Sequence, residues 1–259
     1  MQNPPRLSWA NREPRPAAIK TAAAAGAHPS YYGPARFQQA LSIFDRAGLD
    51  ARTWLVSLWS SRRIIISGLA GFLFSLLILR GPAFEVDKAA TLAVYDAGAG
   101  LALVAWVVAS VGHLLWMPLA FWLYVFRKDR YEWTSAVLIA VATVLSMVSV
   151  DLLKAILMLE RPPEGIMYRP EGFGVPTNFA FPSGHTSRAF TLAAVVWGRY
   201  VKWRLPFAAL AMATGVSMIV IGRHFLSDVI AGAFVGMMIG TWMANLARSR
   251  SEGGPVTNR

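Results

Sequence analysis

The sequence predicts an all-α, polytopic membrane protein: a bundle of six transmembrane helices with both termini on the cytoplasmic side. Of its 259 residues, 55% are hydrophobic and only 15% are charged, whereas a soluble domain carries about 25% charged residues. The mean hydropathy of +0.44 agrees with a membrane protein. The net charge of +11 lies in short basic clusters between apolar stretches, which favours membrane topology over nucleic-acid binding.

Six apolar segments account for the predicted spans, since a bilayer core takes roughly 20 apolar residues as helix. They are Ile64–Leu79, Leu101–Phe126, Thr134–Leu157, Thr186–Trp197, Leu205–Ile221 and Val229–Leu246. Pro118 predicts a kink in the long second span, because proline donates no backbone hydrogen bond. The fourth span is the shortest and needs its flanking residues to cross.

Basic residues orient the predicted bundle. If the spans alternate, four clusters fall on one face: Arg62 and Arg63; Arg127, Lys128 and Arg130; Arg199, Lys202 and Arg204; Arg248 and Arg250. The positive-inside rule places that face in the cytoplasm. Segments 80–100, 158–185 and 222–228 are then extracytoplasmic, and we expect a multi-pass protein of the inner (plasma) membrane.

Three regions follow from this topology. Residues 1–60 form a basic, partly disordered arm, in which 37–63 is either an amphipathic helix on the membrane surface or a short soluble helix. Residues 61–247 form the six-helix domain, and residues 248–259 form a cytoplasmic tail. The chain has no cysteine, which excludes disulfides and thiolate chemistry.

Three glycines repeat every four residues along one face of the last span: Gly232, Gly236 and Gly240. Small residues at that spacing let helices approach closely. The face serves either packing within the bundle or an oligomer interface.

Chemically active side chains collect at the predicted outer ends of the helices. Three clusters far apart in sequence reach the same membrane level: Lys154 with Arg161; Ser183, Gly184 and His185; and Arg223, His224 and Asp228. Two histidines, several cations and a carboxylate at one end of a bundle predict a site rather than scattered surface charge.

The cationic residues and the Ser-Gly turn suit a phosphate ester. Lys154 and Arg161 supply positive charge and a guanidinium fork that matches phosphate oxygens. Ser183 and Gly184 open a helix whose free N–H groups favour an anion, and glycine lets the backbone approach the ligand. A membrane lipid phosphate is therefore the predicted substrate class.

The histidines suit phosphoryl transfer. His224 and Asp228 lie four residues apart, so a helix start would put them on one face, where the carboxylate can orient the ring as a nucleophile. His185 is then the candidate general acid that protonates the departing oxygen. No ligand cluster demands a metal, and no cofactor is predicted.

These residues resemble the type 2 phosphatidic acid phosphatase (PAP2) family, in its membrane lipid phosphatase branch. The resemblance rests on Lys154-x6-Arg161-Pro162, Pro182-Ser183-Gly184-His185 and His224-x3-Asp228, in the family's order. It implies a phosphohistidine on His224, oriented by Asp228, with His185 as acid and with Lys154 and Arg161 on the phosphate. It also implies an extracytoplasmic active site.

One position departs from the family pattern. The third motif usually carries Ser-Arg six residues before the nucleophilic histidine, and that arginine binds phosphate; here the pair is Ser217-Met218. Arg223, beside the nucleophile, or Arg188, one turn after His185, are the candidate replacements. His113, inside the second span, is either a functional group or a neutral histidine bonded to a neighbouring helix.

Three functions fit this constellation. The first is a metal-independent phosphatase that hydrolyses a lipid phosphate or pyrophosphate at the outer leaflet. The second is a lipid phosphotransferase that uses the same histidine with an alcohol acceptor. The third is a degenerate, non-catalytic member that binds lipid headgroups, although the retained histidines, carboxylate and cations argue against it.

Overall fold

The structure, a computed structural model, describes residues 51–126, 130–162 and 179–252. Its α-helices are α1 (Ala51–Phe74), α2 (Phe84–Ala97), α3 (Ala102–Leu114), α4 (Trp116–Phe126), α5 (Arg130–Leu157), α6 (Gly184–Arg199), α7 (Arg204–Val220) and α8 (Leu226–Glu252). A π-helical turn, Ser75–Leu79, extends α1, and short 3-10 turns, Ala99–Leu101 and Val201–Trp203, precede α3 and α7. The described residues contain no β-strand, only an isolated antiparallel bridge between Glu160 and Phe179.

Two predicted boundaries fall inside helices. α1 begins at Ala51 and passes through the predicted domain boundary at residue 60. α8 continues to Glu252, past the predicted start of the tail at residue 248. The arm up to residue 50, with most of its predicted surface helix, and the chain after residue 252 lie outside the described residues.

Four helical segments are long and apolar enough to cross a membrane: Leu55–Leu79, Tyr131–Leu157, Val201–Val220 and Leu226–Arg248. They contain most or all of the predicted first, third, fifth and sixth spans. Large apolar side chains lie exposed on the outside of the bundle, among them Ile66, Leu103 and Leu205. In water such a surface would be costly, so these side chains are the lipid-facing ones.

The other two predicted spans are the kinked one and the short one. The second does not run as one helix, because α3 ends at Leu114 and α4 begins at Trp116. Pro118 has no N–H for the Leu114 carbonyl, which explains the break. The fourth is α6, whose 16 residues reach about 24 Å, less than the hydrocarbon core of about 30 Å.

Among the described residues, four helices are long and apolar enough to cross a membrane, or five if one bent pair counts as a span, so a bundle of six crossing helices is not confirmed. The bent pair covers Phe84–Ala97 and Ala99–Leu114, which meet at 59°. Its first half, α2, occupies the segment 80–100 that was expected to be a loop. Acidic residues in its first turn, Glu85 and Asp87, favour a helix start there. Both termini on the cytoplasmic side remains a prediction.

α6 lies at the centre of the bundle and packs against α3, α5, α7 and α8. A hydrogen bond of 2.7 Å between Ser146 Oγ and Ser187 Oγ joins it to α5. The glycine face of α8 packs against the backbone of α6: a Cβ on Gly232, Gly236 or Gly240 would lie 2.3–2.5 Å from a carbonyl oxygen of residue 183, 187 or 191. That face thus serves packing within the chain, which is the first of the two alternatives that the sequence offered.

We expect Gly236→Ala to destabilise the protein. The new Cβ would lie 2.3 Å from the Ser187 carbonyl oxygen, and two packed helix backbones cannot separate without losing contacts. Overpacking of this kind costs about 1–3 kcal/mol. Thermal unfolding in detergent measures the effect, with Gly100→Ala as control because a Cβ there meets nothing within 4 Å. Equal unfolding temperatures for the two variants would contradict the packing described.

Candidate active site

The three motif clusters meet at one end of the bundle. Arg161 Nη1 lies 3.5 Å from His224 Nε2 and donates to the Arg223 carbonyl at 3.0 Å. The Ser183 N–H donates to the Asp228 carbonyl at 2.9 Å, which joins the start of α6 to the start of α8. The structure thus brings together groups that lie 45 to 63 residues apart in the sequence.

Lys154 lies near the end of α5, and its side chain is buried. Its Nζ donates to the Phe179 carbonyl at 3.2 Å. Next to that carbonyl, the Ala180 N–H donates to the Leu159 carbonyl at 2.7 Å. Lys154 therefore sits where the chain segments on either side of 163–178 come together.

His224 lies in the turn before α8, whereas Asp228 lies in the first turn of the helix. The two residues are therefore close to each other but do not lie on one helical face as expected. The ring is 2% exposed and Asp228 is fully buried. His224 Nδ1 lies 3.3 Å from Asp228 Oδ2, which also accepts the Phe225 N–H at 2.9 Å. A carboxylate accepts, so Nδ1 carries the proton.

The surroundings of His224 Nε2 indicate the same tautomer, with the proton on Nδ1. Arginine can only donate, so His224 Nε2 accepts from Arg161 Nη1 at 3.5 Å. Nε2 therefore presents a lone pair beside a guanidinium. A phosphorus atom that approached this nitrogen would bring its oxygens to Arg161.

Burial lowers the pKa of His224 well below its ordinary value of 6.5, and the positive charges of Arg161, Lys154, Arg223 and Arg80 lower it further. A histidine with a lowered pKa stays neutral as the pH falls through 6.5. The neutral form of the ring is therefore the one present at neutral and mildly acidic pH.

We expect the NMR titration of His224 to have its midpoint clearly below pH 6.5. The chain has four histidines, so ¹⁵N-histidine labelling gives few signals, and His224→Gln identifies the one of interest. Replacing Arg161 by methionine should move the midpoint upward, because one of the opposing charges is gone. A wild-type midpoint at or above 6.5 would contradict the electrostatic environment described.

The Pro-Ser-Gly turn forms the start of α6. Ser183 precedes the helix in an extended conformation and makes no side-chain cap to it; its Oγ instead accepts from Thr186 Oγ1 at 3.0 Å. Arg188 lies over this turn, since its Nη2 would be 3.2 Å from a Cβ on Gly184. A guanidinium therefore lies beside the start of a helix, a position that favours an anion.

His113, His185 and Arg188 form a second cluster beside the first. The rings of His113 and His185 stack with centroids 4.2 Å apart. Arg188 Nη1 lies 2.7 Å from His113 Nδ1 and 3.0 Å from its Nε2. His113 is therefore bonded to a neighbouring helix, which was one of the two possibilities given for it. It also contacts two of the candidate site residues, His185 and Arg188.

Met218, which occupies the family's arginine position, is buried in an apolar cluster with Ala105 and Ala109. A guanidinium there would be surrounded by the alanines of α3. Arg223, the other candidate replacement, is half-buried, and its carbonyl holds Arg161.

Sequence reasoning missed three residues that contact the turn of His224. Arg80 Nε lies 3.7 Å from Asp228 Oδ1, while Asp87 and Thr91 of α2 bond the backbone of Ser227 and Leu226. The signal in the sequence was weak: Asp87 is a carboxylate in the segment 80–100, which was expected to be an extracytoplasmic loop. The residues around Asp87 in the sequence do not indicate that it bonds to Ser227.

The described residues combine helices that are apolar enough to cross a membrane with a cluster of histidines and cations at one end of the bundle. Residues 135–252 match the family model of the PAP2 superfamily, and this segment carries all three motifs. This part of the chain is therefore similar to the PAP2 superfamily.

Two curated relatives extend the comparison. The chain is 38% identical over 85 residues to the lipid A 1-phosphatase of Porphyromonas gingivalis, which covers 30% of this chain and 18% of that protein. It is 24% identical over 147 residues to the undecaprenyl-diphosphatase of Sulfolobus acidocaldarius, which covers 55% of this chain and 66% of that one. The matches thus span less than two thirds of either relative.

The fold is also that of a solved membrane protein. The crystal structure of a transmembrane PAP2-type phosphatidylglycerolphosphate phosphatase from Bacillus subtilis matches with a TM-score of 0.57 and 17% identity, over 75% of this chain and 98% of that one. At that identity the match concerns the fold alone.

Proposed function

We propose that this protein is an integral membrane phosphatase that hydrolyses a lipid phosphate or pyrophosphate monoester through a phosphohistidine on His224. The observation that carries the proposal is the environment of one ring: Nδ1 on Asp228 at 3.3 Å and Nε2 beside Arg161 at 3.5 Å. A buried neutral imidazole oriented by a carboxylate is an activated nucleophile. A guanidinium beside its free nitrogen neutralises phosphoryl charge.

The reaction has two steps. His224 Nε2 attacks phosphorus, the phosphorus–oxygen bond to the lipid breaks, and His185 gives its proton to the departing lipid oxygen. Water then attacks the phosphohistidine, His185 takes a proton from it, and inorganic phosphate leaves with the His224 ring restored. Asp228 holds the Nδ1 proton throughout and stabilises the charge that develops on the ring.

Phosphate binding is assigned to Lys154, Arg161 and the start of α6 at Ser183 and Gly184. Arg188 takes the place of the family arginine that Met218 replaces. Its support is geometric, since the guanidinium lies over the Gly184 turn and is held by His113. Arg223 contributes charge near His224 and the carbonyl that orients Arg161.

The substrate is proposed to be a lipid because the site is built into an apolar bundle, and because the two curated relatives are named for lipid A and undecaprenyl diphosphate. The positive-inside rule, applied to the basic clusters, supports a site on the extracytoplasmic face of the inner membrane. Reaction there releases phosphate outside the cytoplasm, and the chemistry needs no metal.

Phosphate release from a panel of lipids tests the proposal. The purified protein in detergent is given phosphatidic acid, phosphatidylglycerophosphate, a polyprenyl diphosphate and lipid A, each with EDTA present. We expect metal-independent release from at least one lipid, and none from His224→Ala. Equal release by the variant would refute the nucleophile. Release only when an alcohol acceptor is added, with phosphorylated acceptor as product, would show a phosphotransferase instead.

A further inference from the structure

Two side chains of α2 bond the start of α8. Asp87 Oδ1 accepts the Ser227 N–H at 2.9 Å, and Asp87 Oδ2 accepts the Ser227 hydroxyl at 2.6 Å. Thr91 Oγ1 accepts the Leu226 N–H at 2.9 Å and donates to the Asp87 carbonyl at 2.7 Å. Asp87 and Thr91 lie four residues apart, on one face of α2, and both are buried.

These bonds replace a local cap. The first N–H groups of a helix have no partner within the helix, and a serine, threonine, asparagine or aspartate before the helix usually satisfies one of them. Here the residue before α8 is Phe225, which has no polar side chain. The N–H groups of Leu226 and Ser227 are therefore satisfied from α2, about 140 residues away in sequence.

Arg80, just before α2, contacts the same turn from another side. Its Nε lies 3.7 Å from Asp228 Oδ1, and its guanidinium lies 4.3 Å from the centre of the Phe225 ring. Its Nη2 donates to the Glu160 carbonyl at 2.7 Å, next to Arg161. Arg80 thus touches both the carboxylate behind the nucleophile and the chain that carries the phosphate-binding arginine.

We propose that Arg80, Asp87 and Thr91 are positioning residues that hold the turn of His224 for attack on phosphorus. The proposal rests on the function proposed above. Each of the residues 225–228 is contacted by the side chain of Arg80, Asp87 or Thr91. His224 immediately precedes these four residues. Small displacements of a reacting group cost large factors in rate, so the effect of loosening the segment falls on the chemical step.

A matched pair at Thr91 gives the sharpest test. Thr91→Val removes the hydroxyl and keeps the shape, whereas Thr91→Ser keeps the hydroxyl. We expect Thr91→Val to lower kcat by about 10- to 100-fold with KM changed less than about threefold, and Thr91→Ser to restore most of the rate. Lys88→Met, which removes an exposed ion pair with Glu85 on the same helix, should leave kcat unchanged.

Asp87→Asn provides a second variant if Thr91→Val does not fold. This change replaces one carboxylate oxygen by an amide nitrogen, which cannot accept a hydrogen bond. The bond donated by the Ser227 hydroxyl is then lost, or the amide donates to that hydroxyl instead. We expect kcat to fall at a nearly constant unfolding temperature. A fall in unfolding temperature with kcat intact in both variants would overturn the proposal, because that result describes a helix cap and nothing more.

A readout without turnover separates this proposal from the proposed function. Diethyl pyrocarbonate modifies histidine rings, and mass spectrometry of the peptide reports the rate at His224. We expect that rate to rise in Thr91→Val and Asp87→Asn and to be unchanged in Thr91→Ser and Lys88→Met. If wild type releases no phosphate, the proposed function fails, while the modification rates still support or overturn the positioning role: equal rates in all five proteins would overturn it.

Discussion

Replacing His224 by glutamine is expected to lower phosphate release by on the order of 10⁴-fold or more, because the covalent step loses its nucleophile. Glutamine approximates the size of the ring, and its amide can still donate to Asp228 Oδ2, so the turn should keep its shape. Measurement of kcat on the best lipid of the panel, with thermal unfolding as a check on folding, gives the result.

Asp228→Asn is the graded comparison. It keeps the volume of the side chain and the bond from the Phe225 N–H, but it removes the charge that favours the Nδ1–H tautomer. We expect a smaller loss than in His224→Gln. A folded His224→Gln protein that kept a tenth or more of the wild-type rate would rule out the histidine nucleophile.

Arg188→Met is expected to lower kcat/KM by about 100- to 1,000-fold, the usual cost of removing one preorganised charge from a transition state. The reason is the position of its guanidinium over the Gly184 turn, held by His113. Methionine preserves much of the length and the apolar stem. Steady-state kinetics on the same lipid measures the change.

Two further variants make this result specific. Arg204→Met removes an arginine at the start of α7, where Nε donates to the Trp197 carbonyl, and it should leave the rate unchanged. Arg188→Lys keeps the charge but not the planar fork, so it should restore only part of the activity. If Arg188→Met were as active as Arg204→Met, another group would replace the family arginine.

The parts of the fold that the sequence predicts well are those governed by length and apolar composition. The spans within α5, α7 and α8 are long apolar stretches between charged residues, and the structure confirms them as candidate crossing helices. Length and apolar composition do not identify α6 as a crossing helix, because it lies at the centre of the bundle. Its buried face carries small and polar residues such as Thr186, Ser187 and Thr191, which bond within the protein.

The site shows the same division. Local spacing predicted the contacts within one motif, such as His224 with Asp228, because four residues along the chain fix their separation. The expected topology also placed the three motifs at one level. It could not predict that Asp87 bonds Ser227, because α2 was assigned to a loop and a contact across 140 residues leaves no periodic signal.

Trapping of the covalent intermediate tests the central proposal most directly. The protein is mixed with a lipid substrate carrying radiolabelled phosphate and quenched in alkali, in which phosphohistidine survives, and the labelled peptide is identified by mass spectrometry. The wild-type protein is sampled at short reaction times, because His185→Asn would slow both the step that forms the phosphohistidine and the step that hydrolyses it. We expect the label on His224 and none in His224→Gln. Phosphate release without label on His224, under conditions that trap it in a known phosphohistidine enzyme, would contradict the account.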